Sequence, residues 1–130
     1  MEPVLCTFLL CDQVRGEGGK FSIAGIFYRI HTAQFPFIHR CQVVVGWCGK
    51  EGYYDFAVKY YDPGKNRALL EVPFYPFVLT ADRPYFNAVI RAELPVLTEG
   101  THWFEIIRSG RTIGDFPLIV TGANRTVVKM

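Results

Sequence analysis

The sequence predicts an all-β domain: an antiparallel two-sheet sandwich of about eight strands with Greek-key connections. Three observations lead there. Apolar runs rich in β-branched and aromatic residues recur roughly every 10 to 15 residues, with turn residues between them. Several of these runs alternate apolar and polar positions, as half-buried strands do. No stretch keeps a helical apolar period over several turns. A closed β-barrel is the alternative, because strand number alone does not separate the two.

The first strand is expected over Val4–Val14 and the second over Phe21–Ile30. Between them lie Arg15, Gly16, Glu17, Gly18, Gly19 and Lys20, a cluster suited to a tight reversal because glycine reaches positive φ at no steric cost. Neither face of the second strand is fully polar, so it is expected to be central and covered, with Gly25 marking a bulge or a close backbone approach. A phosphate-binding reading of the glycine cluster fails. Val14 stands where that motif needs glycine, and Phe21 where it needs Ser or Thr.

His31 to Ile38 is expected to cross between sheets, since Pro36 cannot donate to a ladder, with Phe35 and Phe37 closing one end of the core. The third strand is expected over His39–Cys48. The fourth spans Tyr53–Asp62, with Tyr54, Phe56, Val58 and Tyr60 on the covered face. Asp62, Pro63, Gly64, Lys65 and Asn66 form a strong turn signal. Arg67–Thr80 is a fifth strand or a broken pair, placed at a sheet edge by Pro73 and Pro76. The sixth strand covers Tyr85–Leu94, with Phe86, Ala88, Ile90, Ala92 and Leu94 inward. A loop over Pro95–Gly100 leads to the seventh, Thr101–Ser109, where His102, Phe104 and Ile106 share a face. Gly110 and Arg111 are expected to form a type II′ turn. The eighth strand is Thr112–Thr121, with Pro117 arguing for an edge or a bulge, and a tail follows from Gly122.

The chain of 130 residues is expected to be a single domain, 1–130, long enough for a real core. Half its residues are hydrophobic and a fifth are charged, which excludes a disordered class. A net charge of +2 gives no electrostatic case for nucleic acid or an anionic membrane. The N-terminal run lacks a basic region and ends in Asp12, and no run reaches the length of a membrane span, so a cytoplasmic protein is expected. A glycosylation-type triplet, Asn124-Arg125-Thr126, carries little weight in that setting. Cys6 and Cys11 have opposite parity along one strand, as do Cys41 and Cys48. Neither local pair can bridge, and all four are expected as buried or half-buried thiols.

Several residues carry a resemblance to a known family. Leu9-Leu10-Cys11-Asp12, then Gly18-Gly19-Lys20 and Ser22, then Gly25-Ile26-Phe27, Phe35-Pro36 and His39 occur in order. Glu99-Gly100-Thr101-His102-Trp103-Phe104-Glu105 and Pro117-Leu118 with Val120 follow near the C-terminus. In this pattern the chain resembles the short bacterial proteins of a domain-of-unknown-function family with an immunoglobulin-like sandwich. The resemblance implies the fold and no activity. One departure is His102, where the family pattern has tyrosine at a corner whose hydroxyl bonds backbone; an imidazole can do a similar job.

Catalysis finds little support. Ser22 and Ser109 sit in no nucleophile setting, and the histidines are scattered. The aspartates lie at turns or outward positions, as solvated charges do, and no pair stands out. A metal site is a weaker alternative. His39 and Cys41 share one side of a strand and His31 lies just before them, ligand types that zinc accepts, although a rim histidine and a packed thiol explain them as well. No cofactor is expected. Aromatic residues make up 15% of the chain and core explains most of them, but in Val72-Pro73-Phe74-Tyr75-Pro76-Phe77 an edge broken by two prolines has fewer inward positions than apolar residues. Phe74, Tyr75 and Phe77, with outward Tyr53 and Trp103, are therefore the candidate surface for a protein partner or a second copy. A lid over one end of the core is the other reading of that segment. Binding of carbohydrate or another small ligand is the alternative function, with Trp47, Trp103 and Tyr53 as the stacking rings.

Overall fold

The computed structural model describes residues 2–122, and those residues are all-β. Asn124-Arg125-Thr126 and the tail beyond Gly122 lie outside them. Nine strands are present: β1 Val4–Glu17, β2 Lys20–Phe27, β3 Arg29–Thr32, β4 Phe37–Cys48, β5 Gly52–Tyr61, β6 Ala68–Leu79, β7 Tyr85–Val96, β8 Gly100–Arg108 and β9 Arg111–Gly122. A single 3₁₀ turn, Pro63–Lys65, joins β5 to β6. One sheet has the order β2-β1-β4-β7 and the other β3-β9-β8-β5-β6. All pairs are antiparallel except β3 with β9.

The apolar faces of the two sheets share one core. Trp47 of β4 stacks on Phe77 of β6 at 5.4 Å between ring centroids and tilts against Phe56 of β5 at 5.3 Å. At the other side Phe8 of β1 stacks on Phe116 of β9 at 4.2 Å. The Tyr60 hydroxyl donates to Pro95 O at 3.0 Å, which ties β5 to β7 and satisfies a group that burial would otherwise leave unpaired. The alternation expected of β5 and β8 holds: Phe56, Val58 and Tyr60 are buried, as are His102, Phe104 and Ile106.

The chain departs from expectation at its second strand. Phe21–Ile30 is neither central nor continuous. Its first part is β2, a largely exposed edge strand paired only with β1. Beyond Tyr28 the chain leaves that sheet, and Arg29–Thr32 lies beside Ile119–Gly122 in the other. β2 lies on the side of β1 away from β4, and its pairing with β1 ends at Phe27, opposite Leu10. Gly25 sits at φ 72° in an unbroken register, and what a Cβ there would meet is the Asp12 side chain, not a bulge or a neighbouring backbone.

Smaller differences have local causes. The hairpin between β8 and β9 pairs Arg108 with Arg111, so its loop is Ser109-Gly110, not Gly110-Arg111. Both loop residues have positive φ, 50° and 74°, which makes it type I′. β7 runs through Pro95 to Val96, shortening the expected loop. Pro73 and Pro76 do lie on an edge strand, β6. Pro117 lies in β9 below the stretch that β3 covers, where a missing N–H leaves no ladder bond unmade. Cys6 is exposed, not half-buried, because it is the extra residue at a shift in register between Leu5 and Thr7.

His102 is the buried polar side chain of the core. Its Nδ1 lies 3.4 Å from Gly100 O and its ring stacks on Tyr60, while Nε2 has no partner. Burial holds its pKa below the ordinary histidine value, against a smaller opposing effect of the Gly100 carbonyl. The same holds for His39, where burial outweighs the nearby Asp12. As pH falls from about 6.5 the unfolded chain takes up these protons first, so stability falls until the folded pKa values are passed. The urea midpoint is expected to drop between about pH 8 and about pH 5, and to drop less in His102→Phe. An acid limb of equal depth in both proteins contradicts the assignment to His102.

Candidate interaction surface

The expected aromatic surface divides by strand parity. On β5, Tyr53 points away from the core and is 88% exposed. Directly across on β6 stands Val78, also exposed, and Asp55 faces Pro76 in the next pair. Phe74 is 62% exposed at the point where the β5–β6 register shifts between Phe56 and Val58. The inward set of the same strand is different. Phe77 is 4% exposed and stacks on Trp47, Tyr54 and Phe86, so it is core and not surface. Tyr75 is half-buried, stacked on Phe56 at 5.1 Å. The segment Phe74–Phe77 therefore alternates: Tyr75 and Phe77 turn into the core and Phe74 is exposed.

Trp103 does not extend that surface. It faces outward on β8, half-buried, with Lys65 Nζ 5.2 Å above its ring. Lys65 belongs to a polar cluster that strand parity foreshadowed only in part. Its ammonium donates to Glu105 Oε2 at 3.4 Å and to Asp115 Oδ1 at 3.0 Å. Glu105 and Asp115 stand directly opposite each other on β8 and β9, a like-charge pair that a cation between them relieves. The Tyr61 hydroxyl donates to Glu105 Oε1 at 3.1 Å. The bonds to Asp115 and Glu105 raise the Lys65 pKa, so the ammonium stays charged. Burial, then the Glu105 carboxylate, raises that of Tyr61. Asp115, Glu105 and Lys65 come from three separate turns or strands, which is why spacing along the chain did not single them out. The turn delivers Lys65 with φ 57°, in the left-handed region, beside Gly64 at φ 87°. With both carboxylates accepting from one ammonium, the cluster clamps the turn onto β8 and β9.

The stacking rings proposed for carbohydrate are not available together. Trp47 is fully buried, the Trp103 face is occupied by Lys65, and Tyr53 alone of the three is exposed. The metal candidates are dispersed too. His31 Nδ1 lies 2.6 Å from Thr121 Oγ1, at the β3–β9 junction. His39 is wedged edge-on between Phe27 and Phe37. The Cys41 thiol faces the core, where burial pushes its pKa to about 12. His31, His39 and Asp12 do line one shallow cleft of about 320 Å³, but among the described residues no three His, Cys, Asp or Glu side chains converge to hold a metal. A more apolar cleft of about 250 Å³ opens between the sheets, lined by Val58, Tyr60, Leu70, Val72, Ile90 and Phe104 together with the charged Glu71, Arg91 and Glu93. No helix among the described residues is long and apolar enough to cross a membrane.

Comparison with known proteins adds family membership. No curated protein matches the chain in sequence. Among solved structures, the β-glucosidase from Listeria innocua in complex with isofagomine is similar over 89% of this chain, with 13% identity and a TM-score of 0.48, and this chain spans 16% of that one. The model of a family of unknown function, DUF6941, matches residues 6–121, from the extra residue of β1 to the penultimate residue of β9. The chain belongs to that family.

Proposed function

We propose that the chain is a non-catalytic interaction module that docks a protein partner, most simply a second copy of itself, on the outer face of β5 and β6. The observation that carries this reading is the exposure of Tyr53, Phe74 and Val78 together on one sheet face. Apolar side chains grouped in this way mark contact surfaces far more often than scattered ones do. Tyrosine and phenylalanine are also the residues enriched at the centres of such contacts. Self-association suits the face because Tyr53 and Phe74 carry no charge that a second copy would repel.

The finer fold we propose is an immunoglobulin-like sandwich. The strand orders β2-β1-β4-β7 and β3-β9-β8-β5-β6 support it, since a hairpin β8–β9 flanked by β5 on one side and by a parallel N-terminal strand on the other is the arrangement of such domains. Buried His102, bonded to backbone near the start of β8, supports it further as a substitute for the corner tyrosine. A cytoplasmic setting is favoured by four cysteines that are all unpaired, the state a reducing compartment maintains.

Sedimentation velocity tests the reading. Wild type is expected to show a concentration-dependent dimer, and Tyr53→Ser/Phe74→Ser a monomer of unchanged melting temperature. Both residues lie outside the core, so the double variant keeps its fold. A wild type that stays monomeric at every concentration rejects self-association.

A further inference from the structure

We infer that Cys6 and Cys48 are a neighbouring, solvent-accessible dithiol that closes to a disulfide in the presence of a low-molecular-weight disulfide, linking β1 to β4. Parity along each strand keeps Cys6 from Cys11 and Cys41 from Cys48, but strand pairing recombines them. β1 runs antiparallel to β4 with Val4 opposite Cys48 and Thr7 opposite Gly46. Cys6 is the extra residue in that stretch, turned to solvent. A Cβ on Gly46 would lie 2.9 Å from Thr7 Cβ, so Thr7 and Gly46 share the outer face, and Cys48, two residues on, shares it too. The two thiols are near neighbours on that face: burial, then the adjacent Cys48 thiol, raises the Cys6 pKa. Cys6 is exposed and Cys48 half-buried, so a reagent reaches the pair from solvent.

The other two cysteines provide an internal contrast. Cys11 and Cys41 are both buried. Cys11 Sγ donates to Gln42 O at 3.8 Å, and Cys41 packs into the core. Neither is open to a reagent without unfolding.

The chemistry is ordinary thiol exchange. One protein thiol, as thiolate, attacks a sulfur of the reagent disulfide. A mixed disulfide forms and one reagent thiolate leaves. The neighbouring protein thiol, losing its proton, then attacks the protein sulfur of the mixed disulfide and expels the second reagent thiolate. The protein loses two protons and two electrons, and the reagent takes them up to become two thiols. Proximity of the thiols makes the second step intramolecular, so the mixed species does not accumulate.

Oxidised glutathione is the probe. Fully reduced, folded wild type is incubated with an excess, quenched in acid and analysed by intact mass and peptide mapping. The expected product is two hydrogen atoms lighter, carries no glutathione, keeps two of its four thiols titratable after unfolding, and yields a peptide joining Cys6 to Cys48. Cys48→Ser is expected to trap glutathione on Cys6. Cys6→Ser serves as the second variant should the first not fold, and traps it on Cys48. A wild type that ends with glutathione on Cys6, with all four thiols unchanged, or with a link between two chains overturns the inference.

Discussion

Trp47→Ala is expected to lower stability by about 3–5 kcal/mol, the usual cost of removing a large aromatic side chain from a packed interior. Trp47 is fully buried on β4, the strand held on both sides by β1 and β7. Its ring meets Phe56 of β5 and Phe77 of β6, so it is one of the side chains by which the two sheets touch. The hole it leaves cannot close easily, because the neighbouring strands are fixed in their ladders. A domain of this size has about 5–15 kcal/mol in all, so the variant would be marginal at room temperature. Trp47→Phe is expected to lose much less. The indole Nε1 has no partner in the core, and phenylalanine has no donor to leave unpaired. Urea denaturation of both variants checks this, and a loss below about 1 kcal/mol for Trp47→Ala contradicts the described core.

Gly46→Val is the second large effect, expected at about 1–3 kcal/mol destabilising. Intrinsic preference points the other way, since valine favours strands and glycine weakens them. The surroundings decide. A Cβ on Gly46 would lie 2.5 Å from Asn87 Oδ1 and 2.9 Å from Thr7 Cβ. The asparagine side chain can swing aside. Thr7 Cβ cannot, because it is fixed to the backbone of the adjacent strand, so β1 and β4 would have to part. Equilibrium unfolding of Gly46→Val and Gly46→Ala tests this order, and a stabilised valine variant shows that β1 yields.

What could be read along the chain was whatever depends on alternation within one strand. Tyr54 to Tyr60 and His102 to Ile106 declare their inward faces by parity, and Pro73 and Pro76 place β6 at an edge. What could not be read depends on which strands become neighbours. Nothing local in Phe21–Ile30 says that the chain changes sheets after Tyr28; that follows from β9 offering a free edge near the other end of the sequence. The turn Ser109-Gly110 was off by one residue because a serine at positive φ is uncommon, and the pairing of Arg108 with Arg111 imposes it. Phe74 and Tyr53 were identifiable as surplus aromatics. Phe77 was not separable from them, since an inward and an outward ring look alike in a segment interrupted by proline, and Trp47 follows the unbroken apolar run Val43-Val44-Val45, which declares no inward side. The Lys65 cluster and the Cys6–Cys48 pair join residues dozens of positions apart, and only strand order brings them together.

The parallel pair β3–β9 also bears on how the molecule comes into being. Arg29 to Thr32 must wait for Ile119 to Gly122, so a ribosome has to deliver every strand from β4 to β9 before that edge can be sealed. Until then β8 lacks the neighbour on its side opposite β5. Synthesis at about 5–20 residues per second leaves such a nascent chain incomplete for several seconds, a window in which chaperone binding competes with misassembly.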